Sequence, residues 1–254
     1  MKRLLLSFLP LAAAGPVAAQ DSDLERKRDR FLAPDIQTGT RFARAAETAQ
    51  ESDARQMQKR IARCVFFGNK DEVRELLANS DFDRIDFAAT SFTGEEFFDQ
   101  IDFSQCIGRA MKQSQYKVWV QMQYSTLRNL LAEEVYLKDH KDAPVLAEGA
   151  PTLIKDRFAF TRGGPRAGVM AEVSDCVTYR NGAGAHAFLD SVPGNKGETE
   201  ALEALWPTLL TCLETEDPPE LSTSMLRMMI ADGMWARSYY GAWSANESPE
   251  TVAE

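Results

Sequence analysis

Two arginines and two carboxylates stand at matching places in this 254-residue chain. Arg128 belongs to the run Leu127-Arg128-Asn129-Leu130-Leu131-Ala132-Glu133-Glu134-Val135-Tyr136, and Arg227 to Leu226-Arg227-Met228-Met229-Ile230-Ala231-Asp232-Gly233-Met234-Trp235. An alanine (Ala132, Ala231) and an aromatic (Tyr136, Trp235) follow each arginine at four and eight residues, a spacing that puts them on one face of a helix. An arginine so placed can lay its stem along the helix and bind carbonyls or carboxylates of the same repeat, tying helix to helix. It can also serve as an anion-binding group in a groove between helices. Its occurrence in both runs favours the scaffold role for Arg128 and Arg227. Glu133 and Asp232, one per run, are the residues an exported hydrolase would use as acid and base if the fold brought them face to face.

Other chemistry finds less support. The chain has two histidines. His140 lies in the charged stretch Lys138-Asp139-His140-Lys141-Asp142, which reads as a solvated loop. His186, in Gly184-Ala185-His186-Ala187, reads as a polar surface position on a short helix. No GxSxG elbow and no HExxH motif occurs. Gly182-Ala183-Gly184 and Gly163-Gly164 lack the lysine and spacing of a phosphate loop. Asp81-Phe82-Asp83-Arg84-Ile85-Asp86 has Asp where a calcium loop needs its glycine, and Phe92 where it needs its bidentate Glu. The expectation is no catalytic residue, no bound metal and no cofactor.

The four cysteines Cys64, Cys106, Cys176 and Cys212 are too far apart for a CxxC or zinc-knuckle motif, and an even number in an exported protein reads as two disulfides. Export is indicated by the first residues. Lys2 and Arg3 precede the apolar stretch Leu4 to Ala14, and Val17-Ala18-Ala19 supplies the small residues of a cleavage site before Gln20. Pro10 and Pro16 interrupt the stretch before it reaches the roughly 18 apolar residues of a membrane span. The mature chain is expected to be periplasmic or secreted, with no transmembrane segment. Removing residues 1–19 takes away two cations and no acid, so the net charge of −9 becomes −11. That balance repels phosphate backbones and argues against nucleic acid as a partner; a partner protein or small ligand is left open.

The matched runs are part of a larger repeat. Cys64-Val65-Phe66-Phe67-Gly68-Asn69 aligns with Cys176-Val177-Thr178-Tyr179-Arg180-Asn181, and without a gap Leu76-Leu77 falls on Phe188-Leu189. Cys106 and Cys212 follow in similar apolar settings, and Lys138 and Arg237 extend the later match. Only the pairing Cys64–Cys106 with Cys176–Cys212 gives both copies the same internal bridge. Closing a loop of about 40 residues contributes on the order of 4 kcal/mol through loop-closure entropy.

The spacing predicts helices throughout. Met57, Ile61, Cys64 and Val65 recur at three and four residues, and Leu202, Leu205, Trp206, Leu209, Leu210 and Leu213 form a wide apolar stripe. Asn69 and Asn181 are placed to end one helix in the left-handed conformation and cap the next. Thr93-Gly94-Glu95-Glu96 and Asn195-Lys196-Gly197-Glu198 carry a cap residue with Glu three positions on. Tyr116 to Gln123 alternates as a strand would.

Taken together, Ala62-Arg63-Cys64-Val65, Leu76-Leu77, Cys106, and Leu127-Arg128 with Ala132 and Tyr136 resemble uncharacterised exported bacterial proteins that carry one cysteine-bounded helical unit twice. The resemblance spans roughly residues 50–240 and implies an export route and a helical scaffold, but no activity. The segment between Cys106 and Leu127 is longer than its counterpart between Cys212 and Leu226.

The expected organisation is a signal peptide (1–19), a polar segment (20–49), a first helical repeat (50–137), a linker (138–164), a second repeat (165–240) and a flexible tail (241–254). The fold class is mainly α, two tandem diverged repeats each closed by a disulfide. The expected role is a non-enzymatic binding or interaction module, with the carboxylate-based hydrolase as the alternative.

Overall fold

The computed structural model describes residues 50–111, 120, 122–160, 165–214 and 221–244. Helix α1 (Glu51–Gly68) buries Ile61 and Val65 of the predicted stripe together with Ala62 and Phe66, while Met57 and Cys64 are half-buried. Asn69 stops it. Its backbone N–H bonds the Val65 and Phe66 carbonyls, and its side-chain Nδ2 donates to Val65 O at 3.0 Å and to Ile101 O at 3.2 Å. Helix α2 (Lys70–Ala78) then starts at an angle and buries Val73, Leu76 and Leu77. The same break recurs at Asn181, between α7 (Pro165–Arg180) and α8 (Gly182–Asp190). The two asparagines have nearly the same backbone, φ −141°, ψ 58° and φ −147°, ψ 61°. Neither is left-handed, contrary to expectation. Asn181 caps α8 through Gly184 N–H at 2.9 Å, whereas the Asn69 side chain turns back to hold α1 and caps nothing.

Short helices α3 (Phe97–Gln100) and α4 (Phe103–Met111) follow α2, after a 3-10 turn at Phe87–Ala89. The helix expected from Thr93 begins only at Phe97, with Glu96 as its cap residue. Of the expected strand, Val120, Met122 and Gln123 are described and belong to no helix or strand; the rest lies outside the described residues. Helices α5 (Tyr124–Asp139), α6 (Lys155–Phe160), α9 (Lys196–Leu213) and α10 (Thr223–Tyr239) complete the fold. The cap at Asn195 forms as the sequence predicts. Its Oδ1 accepts from Glu198 N–H at 2.8 Å, and Glu198 Oε2 reaches back to Gly194 N–H at 2.7 Å.

The architecture is mainly helical, with no strand among the described residues beyond one isolated bridge, Ser80 to Ile85. Helices α5 and α10 pack against each other at the centre; α1 and α2 cover α5, and α7 and α8 cover α10. α10 is enclosed on nearly every side, burying eleven residues from Leu226 to Arg237. Apolar residues of both halves, from Ile61 to Ala242, belong to one core cluster.

The disulfides join the expected partners: Cys64 of α1 to Cys106 of α4, and Cys176 of α7 to Cys212 of α9, with Cα separations of 5.6 and 5.7 Å. Both are within the range a bridge requires. Each ties the helix before an asparagine break to a later helix of the same half. In the segment 140–154, Ala150 and Ile154 are buried, and Ile154 N–H donates to Asp175 at 2.9 Å. Residues 241–244 are seated too, with Trp243 Nε1 on Ser238 at 3.1 Å; residues 245–254 lie outside the described residues, as do 1–49.

Candidate functional site

Charged side chains rarely enter a core without partners, because desolvating an ion costs several kcal/mol. Here α5 and α10 carry six between them: Arg128, Glu133, Glu134, Arg227, Asp232 and Arg237 are each at most 3% exposed. The pairing crosses the central helix–helix contact. Arg128 of α5 donates to Asp232 of α10, and Arg227 of α10 donates to Glu133 of α5. The sequence expectation tied each arginine to carbonyls or carboxylates of its own repeat. The correction has a simple cause: the two runs sit on helices packed against each other, so each carboxylate is nearest to the other run's arginine.

Each arginine also braces its own half. Arg128 Nε donates to Ser80 at 2.9 Å, while its guanidinium also lies 5.1 Å from the Trp235 ring centre of α10, in the other half. Arg227 donates to the carbonyls of Phe188 (3.0 Å), Leu189 and Ser191 (2.9 Å), which end α8. That is the carbonyl-binding role the sequence suggested, made with the neighbouring helix.

Two clusters grow from these pairs. In the first, Asp232 also receives Arg157, which bridges on to Asp175 and Ser174 (3.1 Å). Burial works against an ionised Asp232, but Arg128 and Arg157 outweigh it and hold its carboxyl below the usual range. Burial dominates at Asp175 and pushes it up. Arg237, fully buried, has no ion pair among the described residues. It donates to the carbonyls of Pro151, Thr152, Asp175 and Ala242 at 2.9–3.3 Å, and burial lowers its pKa. This first cluster is sealed.

The second cluster surrounds Glu133. Arg227 grips it through two bonds of 2.9 and 3.0 Å, and Lys59 of α1 donates to it from the other side. Arg227 also reaches Glu198 at 3.0 Å, and Arg55 of α1 holds Glu198 through two bonds. Burial opposes ionisation of Glu133 and Glu198, yet the cations keep both below the ordinary glutamate range. Glu134, also buried, faces Arg63 at 2.8 Å and Lys59 at 3.5 Å.

Arg55, Lys59 and Arg63 were not singled out in the sequence. Their signal is there: three cations at four-residue spacing make a stripe along α1 beside its apolar face. Arg157 and the second role of Glu198, beyond capping, had no signal of their own.

The second cluster has a recess beside it. A cavity of about 120 Å³ is lined by Lys59, Glu133 and Arg227 together with Leu130, Met228 and Pro193. Thr126, Ser224 and Gln58, all half-buried, edge it. The Arg55–Glu198 pair separates it from a further depression of about 260 Å³ running to Ser52 and Thr223. The loop joining α8 to α9 is pressed against α1 here. Gln56 Nε2 bonds Pro193 O at 3.0 Å, and Gly194 adopts φ +77° where a Cβ would lie 2.7 Å from Ser52 Cα. Only glycine fits both the backbone and the gap.

The histidines do not join this site. His186 is buried, not on the surface as its sequence setting suggested; its Nδ1 lies 2.8 Å from Tyr136 Oη. The small residues around it let α8 press against α5. His140 caps the end of α5, half-buried, with its ring 5.0 Å from that of Tyr136, and burial lowers its pKa. At 81–86, the Asp81 carboxylate is occupied by the N–H groups of Asp83 and Arg84. Among the described residues no cluster of His, Cys, Asp or Glu could hold a metal ion. No described helix is long and apolar enough to cross a membrane.

The chain is thus a disulfide-bridged helical protein with a charged recess beside two crossed ion pairs. No known protein family, curated protein or solved structure matches it.

Proposed function

We propose that this chain is an exported binding module made of two diverged copies of one helical unit, with its ligand seat in the recess beside Glu133 and Arg227. The observation that carries the reading is the recess itself. It is a cavity whose charged floor is already held in place by the crossed pair and whose rim offers half-buried polar and apolar side chains, the composition of a ligand site. Matched asparagine breaks, matched bridges and the exchange of partners between Arg128–Asp232 and Arg227–Glu133 support the duplication. Export is supported by the leader-like first residues and by the two disulfides.

The hydrolase alternative has weaker support. An acid–base pair needs one carboxyl that holds a proton and both within reach of substrate. Glu133 and Asp232 are each clamped by two cations, are at most 2% exposed and have lowered pKa values.

A thermal-shift survey of small polar metabolites, run on the wild type and on Met228→Trp, tests the reading. A compound that raises the melting temperature of the wild type but not of the filled-cavity variant supports it. Equal responses of both proteins to every compound would sink it. Mass analysis of the exported form should show a chain beginning at or near Gln20.

A further inference from the structure

The recess has a charge imbalance that its neighbours do not cancel. Three cations, Arg55, Lys59 and Arg227, meet two carboxylates, Glu133 and Glu198; the remaining carboxylate, Glu134, is neutralised by Arg63 on its far side. One positive charge is left over, in a chain whose net charge is −9. The surplus faces the cavity, because Arg55, Lys59 and Arg227 all line it whereas Glu198 and Glu134 do not. Thr126 and Ser224, from the first turns of α5 and α10, line it as well, and the partial positive charge of each helix start adds in the same sense.

Size and lining narrow the chemistry. A cavity of roughly 150 Å³ accommodates benzene, so about 120 Å³ suits a ligand of some six heavy atoms. Leu130, Met228 and Pro193 supply apolar walls opposite the cations. Inorganic phosphate has no apolar part to place against those walls, and its charge at neutral pH exceeds the surplus.

We infer that the recess binds a short-chain monocarboxylate, its carboxylate against Lys59 and the start of α10 and its alkyl chain against Leu130 and Met228. The inference rests on the binding-module reading and names the ligand class of that same seat. Lys59 is the residue that changes partner. Its ammonium has three donors; one bonds Glu133, and Glu134 lies beside it at 3.5 Å as an ion-pair partner. Its side chain retains 16% exposure, while Glu133 keeps both bonds from Arg227. A carboxylate can therefore reach Lys59 without leaving Glu133 unpaired.

Titration calorimetry of the full chain with butyrate and pentanoate, against butyramide and butylamine, tests this. The carboxylates should bind, with the amide and the amine weaker by about tenfold or more, the loss expected when a charge-assisted contact is removed. Lys59→Met should lose that preference and Lys59→Arg should keep it, with circular dichroism confirming that both fold. Met228→Trp should abolish binding through volume alone. Amide or amine binding as tight as butyrate, and blocked by Met228→Trp, would overturn the carboxylate class and leave the binding seat standing. Heat from butyrate that persists unchanged in Met228→Trp would place binding elsewhere and overturn this inference. No heat from any of the four compounds would overturn it too, and the wider metabolite survey would then decide whether the seat itself stands.

Discussion

Arg128 and Arg227 make the same kind of contact in two different settings. Arg128 meets Asp232 where every surrounding group is protein, and the third and fourth members of that cluster, Arg157 and Asp175, are buried as well. Arg227 meets Glu133 where one side of the carboxylate faces Lys59 and a cavity. A sealed ion pair gains nothing from exchange with solvent and ties helices together. A pair beside a recess has one partner that can be shared with an incoming ligand. The two matching runs thus take part in one closed cluster and one that lies beside a cavity.

The sharpest way to break the comparison is to neutralise each carboxylate. Asp232→Asn leaves Arg128 and Arg157 without their shared counter-charge and should cost about 3–5 kcal/mol in urea unfolding. Glu133→Gln leaves Arg227 on Glu198 and its carbonyls, and Lys59 on Glu134, so about 1–3 kcal/mol is expected. Equal losses would show that the second cluster is as closed as the first.

Glycines test the two neighbourhoods next. Gly233→Ala brings a Cβ 2.8 Å from Ser174 Cβ on the sealed side, and Gly194→Ala imposes φ +77° on alanine against Ser52. Each should cost about 1–3 kcal/mol. Only Gly194→Ala should disturb the recess, read as a change in ligand response.

Acid acts on both clusters in one sense. Glu133, Glu198 and Asp232 have lowered pKa values in the fold, so the stability they contribute is full above the unfolded range of about 3.9–4.3 and is lost as pH falls through their folded values. Asp175, raised by burial, opposes this, since protonating it favours the fold. The urea midpoint should fall steeply below about pH 4. In Glu133→Gln the fall should be shallower.

The smallest effect is expected at Lys59→Met. A partly exposed ammonium with a second cation behind its partner should change stability by under about 1 kcal/mol. A loss as large as that of Asp232→Asn would make Lys59 a scaffold residue.

How far the sequence could be read followed from what each signal encodes. Helices and bridges were legible because periodicity and cysteine spacing are local or repeat-related, and Ile61, Val65, Leu205 and Leu209 are buried where their stripes put them. The runs containing Arg128, Glu133, Arg227 and Asp232 were visible for the same reason. Their crossed partners were not, because a helical face says which residues point together and nothing about which helix lies opposite. His186 was read as a polar surface position on a short helix, but in the fold its ring is buried against Tyr136 of α5. Asn69 and Asn181 marked the breaks, but identical positions found different bonds once Ile101 came within reach of one of them.

The crossed pairs also bear on the order in which the chain can fold. Arg128 and Asp232 are 104 residues apart, Glu133 and Arg227 are 94, and Arg55 and Glu198 are 143. A chain made from its N-terminus exposes Glu133, Glu134 and Arg128 long before α10 exists to receive them. Until then α5 carries ions on a face that will later be core, and it gains little by docking early. Non-local contacts of this kind slow folding, since loop closure must come before the contact that rewards it. The contacts that cover α5 can be completed only once α10 is present, whereas the Cys64–Cys106 bridge joins α1 to α4 within the first half alone.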